Sequence, residues 1–464
     1  MQPAEPKNRE EAAAENPSGG LLYRFAGRWF RRNSLGRNTV WMFLGHGTGI
    51  LIKATYFILI ARFLGARNYG AFAGVVALVA VLAPFATLGS GNLLVKNVSR
   101  DHSLFRQYWG NCLFMTVVSG SMLLLLVLAI SRLLLPGGIP LLLVVLVAAS
   151  DLFLARAVDV CMQAFQAFEM VARMARVNVI GGSCRLIGAV GIGLFAHHPT
   201  ALNWGVVYLC SSACGAAFGV TWVSRVLGRP DVALWRIRTE LAEGCYWAVG
   251  LSAQSIYNDI DKTMLTRLST LDAVGIYAAA YRLIDAAFIP LRSLLYAAFA
   301  RFFKHGSSGI IGSTRYARRL MLRSGSYGLL ATLALIVFAP VVPRFLGREY
   351  ATAVEAVRWL APIVFFRSLH YFFADSLSGA GYQGLRTVIQ VCVAVLNVVL
   401  NVWLVPTYSW RGAAWASLAS DGMLLVSLFL VSGWLVWRET RRVVISTGDV
   451  SDIRPEAADS PGYL

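Results

Sequence analysis

Four ionisable residues, Asp259, Asp261, Lys262 and Arg267, fall within the stretch SIYNDIDKTMLTRL (residues 255–268), whose surroundings are apolar enough to cross a membrane. Carboxylates and a cation at this spacing can hold a metal, shuttle protons, pair with one another, or line a path for a charged solute. A helix turns about 100° per residue, so Asp259 and Asp261 point about 200° apart and do not converge on one metal ion. Asp259 and Lys262 share a stripe with Ser255 and Thr266, at the i,i+3 spacing that permits an ion pair. The next apolar stretch places Tyr281, Arg282, Asp285 and Arg292 on one broad face, and Arg282 and Asp285 are again three apart. Pro290 removes one hydrogen bond from that helix. In the first apolar stretch, Gly49, Lys53 and Tyr56 lie on one side. Each charge at the bilayer centre costs roughly 2.5–3.5 kcal/mol on insertion scales. Pairing between helices and a water-filled cavity both offset that cost, and the two are compatible. Intramembrane charges usually mark a pathway, so a hydrated cavity is the expectation.

No enzyme emerges from the other motifs. The sequence has no HExxH, nucleophile elbow, phosphate loop or zinc-finger spacing. Seven cysteines lie mostly within apolar stretches and read as small hydrophobes rather than metal ligands or disulfides. No cofactor is called for. A coupling H⁺ or Na⁺ is the one small ligand that Asp259, Asp261 or Asp285 would suit, unless these acids only balance charge.

The elements that must position these residues are membrane helices. The chain is 57% hydrophobic and 14% charged, with mean hydropathy +0.60; soluble domains are about 25% charged. Its formal charge of +18 does not indicate nucleic acid, because the basic residues lie between apolar segments rather than on a soluble domain. Twelve segments approach the 20 apolar residues needed to span: 38–63, 70–95, 109–135, 141–167, 175–195, 203–225, 245–267, 275–300, 320–342, 354–378, 387–405 and 412–437. They divide the chain into a tail with a basic amphipathic segment (1–37), an N-lobe of six helices (38–227), a linker (228–244), a C-lobe of six helices (245–437) and a C-terminal tail (438–464). Basic connections such as the one carrying Arg301, Arg315, Arg318, Arg319 and Arg323 belong on the cytoplasmic side. Both termini and the linker are therefore expected in the cytoplasm. The halves also align: LIARFLGARNYGAFA matches MLTRLSTLDAVGIYA, with Gly70 on Gly275 and Arg62 on Arg267. Two parallel six-helix repeats around a central cleft are a common transporter plan.

Three patches of the chain resemble the Wzx-type oligosaccharide flippases, in the expected order across residues 35–440. They are IARFLGARNYGAFAGVVALVAVLAPFATLGSGNLLVK, YNDIDKTMLTRLSTLDAVGIYAAAYRLID and LNVVLNVWLVPTYSWRGAAWASLASD. One departure is Ser409, where the family often has Gly in the turn before GAA. The resemblance implies an all-α fold of the multidrug/oligosaccharidyl-lipid/polysaccharide exporter superfamily and alternating access across the bacterial inner membrane. Its implied cargo is an undecaprenyl-pyrophosphate-linked oligosaccharide for a surface polysaccharide. Partners implied are membrane lipids, a polysaccharide polymerase and a chain-length regulator, and no nucleic acid. Carried onto this chain, it makes Lys53, Arg62, Lys262, Arg282 and Arg292 the substrate-binding candidates. A cation-coupled drug antiporter and a lipid II flippase are the alternatives within the superfamily. A membrane polymerase or ligase fits less well, since the connections are short.

Overall fold

The computed structural model describes residues 34–196, 198–306 and 309–447, and among these the only regular elements are helices. The basic segment through Arg32 and the tail beyond Thr447 lie outside the described residues. Helix α1 (Ser34–Leu82) breaks at Gly65, whose φ of 69° is open to glycine at little steric cost. The chain continues through α2 (Ser90–Val98), α3 (Phe105–Leu134) and α4 (Leu141–Ala149). A π-helical turn, Ser150–Ala155, joins α4 to α5 (Arg156–Ala167), and α6 (Val171–Phe195) and α7 (Ala201–Val226) follow. The second half consists of α8 (Leu234–Leu268), α9 (Leu271–Gly306), α10 (Ile310–Phe338), α11 (Ala353–Leu360), α12 (Pro362–Gly379), α13 (Gln383–Tyr408) and α14 (Trp410–Thr447).

Nine helical stretches among the described residues are long and apolar enough to span. The first of them, Leu51–Ala86, contains the Gly65 break and so makes two crossings. Two more helices fall short of that apolarity for an informative reason. Asp259, Asp261 and Lys262 lower the hydropathy of α8, and Arg367, His370 and Asp375 lower that of α12. With these the crossings number twelve, six on each side of the linker.

The spans Leu51–Ala86 and Leu271–Leu295 are each 61% buried, against 17% for α6 and α10, so α1 and α9 form the centre of the molecule. Small residues allow this: α9 buries every position from Ala273 to Tyr281. The closest approach between the lobes is reciprocal. A Cβ on Gly70 would meet the Leu271 carbonyl and come within 2.7 Å of the Gly275 nitrogen. A Cβ on Gly275 would meet the Ala66 carbonyl. In the alignment of halves, Ala66 corresponds to Leu271 and Gly70 to Gly275. Such mutual contact of equivalent residues is what a twofold relation produces.

Segment 228–244 is mostly helical, since α8 starts at Leu234. It is tied to α3 of the N-lobe: the Asn111 side chain donates to the Ala233 carbonyl (3.2 Å) and accepts from the Ala233 N–H (2.8 Å). Helix α9 runs unbroken through Pro290. Ser409 adopts φ 55°, ψ −134°, a conformation suited to glycine, and its hydroxyl lies 2.6 Å from that of Ser269 in the α8–α9 turn. All seven cysteines are free; Cys112 and Cys161 are buried, and Cys210, Cys214 and Cys392 lie on the outer surface.

Candidate functional site

A cavity of about 650 Å³ lies between the lobes, within the usual range of ligand sites. Its N-lobe wall comes from α1 and carries no charge: Tyr69, Phe72, Ala73, Val76, Ala77 and Ala80. The opposite wall is highly charged. Helix α8 contributes Asn258, Asp259 and Lys262; α9 contributes Tyr281, Arg282, Asp285 and Arg292; α12 and α13 add Arg367, Asp375 and Arg386. The Gly70–Gly275 contact closes the end of the lobe interface next to Tyr69.

The amphipathic patterns explain the placement on α8 and α9. Lys262 turns to the cavity and donates to Asp259 Oδ1 (2.7 Å) and to the Asn258 carbonyl (3.0 Å), with its ammonium 4.1 Å over the Tyr281 ring. Asp261 points away, as the helical angle requires. It accepts from the Tyr277 and Ser417 hydroxyls and ties α8 to α9 and α14 behind the wall. Asp285 does not take Arg282 as its salt-bridge partner; it faces Arg367 at 3.7 Å. Arg367 is 3% exposed and also donates to the Tyr281 hydroxyl (2.6 Å). Arg386 pairs with Asp375 at 3.0 Å.

Three of the five expected cationic contacts, Lys262, Arg282 and Arg292, thus share one cavity, and Lys53 and Arg62 do not join them. Lys53 is exposed on α1, with Arg185 and Asp159 of the N-lobe and Arg282 and Arg292 of α9 in electrostatic range. Arg62 is exposed on the same helix near the Gly65 break. Of the three expected acids, Asp259 and Asp285 line the cavity and Asp261 does not. Arg367, Arg386 and Asp375 are wall residues that helical spacing within one segment did not single out. Their signal was present, since FFRSLHYFFAD places Arg and Asp in an apolar run.

Within the cavity, Lys262, Arg367 and Arg386 each have a carboxylate partner. Among the described residues, no carboxylate lies within 4.0 Å of Arg282 or Arg292. Both remain open to solvent, and the Tyr69 hydroxyl is a hydrogen-bond partner of Arg282. The wall therefore offers two guanidinium forks to an anion, beside an uncharged, alanine-rich surface.

The closed end has its own latch. The break at Gly65 leaves the Ala66 N–H without a helical partner, and Glu349 of the other lobe accepts from it at 3.0 Å. The Tyr350 hydroxyl donates to the Ala61 carbonyl at 3.1 Å. Losing a helix cap costs about 1 kcal/mol, a several-fold change in population. In a background without native cysteines, Glu349→Ala should therefore make a cysteine at position 271 react several-fold faster with an impermeant maleimide. An unchanged rate would show that the carboxylate does not hold this end closed.

The fold is that of the MOP superfamily of membrane transporters. Similar solved structures include an inward-facing multidrug resistance MATE family transporter (TM-score 0.68, 14% identity, 86% of this chain and 96% of that one). The outward-facing conformation of a MATE transporter aligns with a TM-score of 0.61 at 14% identity, over 90% and 98% of the two chains. The lipid II flippase MurJ, in an inward closed conformation, aligns with a TM-score of 0.66 at 11% identity, over 89% and 93%. No curated protein matches the chain in sequence. Residues 35–305 match the model of the polysaccharide biosynthesis protein family, and the chain belongs to that family. The solved structures that share this fold include a multidrug transporter and a lipid flippase.

Proposed function

We propose that the protein is a flippase that moves undecaprenyl-pyrophosphate-linked oligosaccharide from the cytoplasmic to the outer leaflet of the bacterial inner membrane. The observation that carries this reading is the charge of the cavity: five cationic side chains against three carboxylates, with no ion-pair partner within 4.0 Å of Arg282 or Arg292 among the described residues. A pyrophosphate and a sugar chain cannot enter hydrocarbon, because neither charge nor hydroxyls find partners there. A guanidinium holds phosphate oxygens in pairs, and the Lys262 ammonium adds a point charge. Asp259 and Asp285 keep the wall from retaining the anion too tightly. The uncharged α1 face accommodates the sugar, and the prenyl chain stays in the bilayer. A cation-coupled drug antiporter would need the opposite balance of charge.

Binding of the purified protein tests this. An undecaprenyl-pyrophosphate-linked sugar should bind and tetraphenylphosphonium, a lipophilic cation, should not compete. Preference for the cation would overturn the assignment in favour of drug export.

The orientation belongs to the same proposal. With both termini and the basic α9–α10 connection inside, a cytoplasmic reporter fused at Gly309 and a periplasmic reporter at Gly138 should both be active. Periplasmic activity at Gly309 would reverse the inferred direction of transport. A polymerase and a chain-length regulator are the partners such a role entails.

A further inference from the structure

The two cavity arginines without a carboxylate within 4.0 Å stand far apart on one helix. The lining stripe of α9 runs through Arg282, Asp285, Phe288 and Arg292. Arg282 and Arg292 are ten positions apart, which at about 1.5 Å of rise per residue separates them by roughly 15 Å along the axis. Their side chains do not converge. Arg282 is hydrogen-bonded with the Tyr69 hydroxyl, next to the closed end. The Arg292 guanidinium leans over the Phe288 ring, 5.8 Å from its centroid. Asp285 lies between them on the same stripe. It faces Arg367 at 3.7 Å and has Lys262 and Arg282 in electrostatic range. A carboxylate at that point divides the stripe into two anion sites rather than joining it into one.

The two sites differ in what surrounds them. Lys262 and Arg367 both contact Tyr281, the neighbour of Arg282. That company of cations suits a group with two negative charges. Arg386, which like Arg292 is in electrostatic range of Tyr371, is committed to Asp375 at 3.0 Å. Lys53 of the N-lobe has both Arg282 and Arg292 in electrostatic range; Asp159 is also in range of it but pairs with Arg156 at 2.9 Å. Arg292 therefore offers one free fork, the planar match for a carboxylate.

A diphosphate fills only one of these sites. Its two phosphorus atoms share a single bridging oxygen, so it spans a small part of the separation, whereas a short run of sugar residues covers it. We infer that the glycan of the cargo is acidic, with a sugar carboxylate a few residues beyond the diphosphate held by Arg292 while the diphosphate is held at Arg282. This rests on the proposed diphosphate-linked cargo and adds a second anion to it. The site reads position as well as charge. An acid on the sugar next to the diphosphate falls short of Arg292 and meets Asp285 instead.

The test measures binding to the full-length protein in lipid nanodiscs, at neutral pH and fixed salt, with prenyl-diphospho-trisaccharide probes. A probe with glucuronic acid as its third sugar should bind about tenfold to a hundredfold more tightly than the same probe with glucuronamide there. Moving the acid to the first sugar should give little or no gain over its own amide. In Arg292→Ala the acid-to-amide ratio at the third sugar should fall to about one, whereas Arg282→Ala should weaken both probes and keep the ratio. No gain at the third sugar, an equal gain at the first, or a gain that survives Arg292→Ala or vanishes in Arg282→Ala would each overturn the inference while leaving the diphosphate cargo intact. Failure of every probe to bind would instead overturn the cargo assignment on which it depends. The comparison of probes on the wild-type protein requires no variant to fold.

Discussion

Polysaccharide export in a deletion strain is expected to be lost when Arg282 and Arg292 are both replaced by alanine, with the protein still inserted and abundant. These two cations line the cavity with no carboxylate within 4.0 Å among the described residues. A hydrogen bond to a charged group contributes about 1.5–3 kcal/mol, so each loss should weaken headgroup binding about tenfold to a hundredfold. Stability should change little, because both side chains are exposed to the cavity rather than packed in the core. Lysine at both positions should restore part of the function, since the charge returns but the paired geometry of the fork does not. Full export by the double alanine variant, judged by surface polysaccharide at equal membrane abundance, would remove these residues from the binding site.

The second large effect concerns the contact between the lobes. Gly275→Leu should prevent closure of the Gly70–Gly275 end, because its Cβ meets the Ala66 backbone rather than a side chain that can turn aside. Overpacking of this kind costs typically 1–3 kcal/mol, enough to shift a conformational population about 5- to 150-fold. Transport should stop, since a cycle of alternating access must pass through the state in which this end is closed. Interlobe distances from spin labels on α1 and α9 should move to the form open at that end. A distance distribution matching the wild type would mean that the helices absorb the side chain elsewhere. Gly70→Leu is expected to act in the same way, as the equivalent position in the other half.

Much of this architecture is legible from the sequence because membrane insertion leaves a strong one-dimensional signal. Twelve crossings follow from apolar runs, and even the register of the two halves, Gly70 on Gly275, proves to be a point of contact. The division of α8 into a cavity-facing Asp259–Lys262 pair and a rear-facing Asp261 follows from helical angle alone. Partners in other helices do not. Nothing local assigns Asp285 to Arg367, 82 positions away, rather than to Arg282 three positions away. The His370–Asp421 contact joins α12 to α14 and depends on how those helices pack. Lys53 and Arg62 had the right residue type and the right helix, but the break at Gly65 and the packing of α1 present Tyr69, Phe72 and the alanines to the cavity instead. The segment 228–244 lacks the apolar run of a membrane helix, and the start of its helix at Leu234 is anchored by Asn111 of α3, a long-range contact that a linear reading cannot supply.

The most direct test of the central claim is flipping by the purified protein in liposomes. Undecaprenyl-pyrophosphate-linked oligosaccharide is loaded in both leaflets, and the fraction accessible to an added sugar-modifying enzyme is followed with time. Protein-containing vesicles should expose nearly all of the lipid-linked sugar, and vesicles with the Arg282→Ala, Arg292→Ala variant should stop near the half already facing out. Wild-type vesicles that also stop at that half, while the same preparation moves a lipophilic cation, would contradict the account.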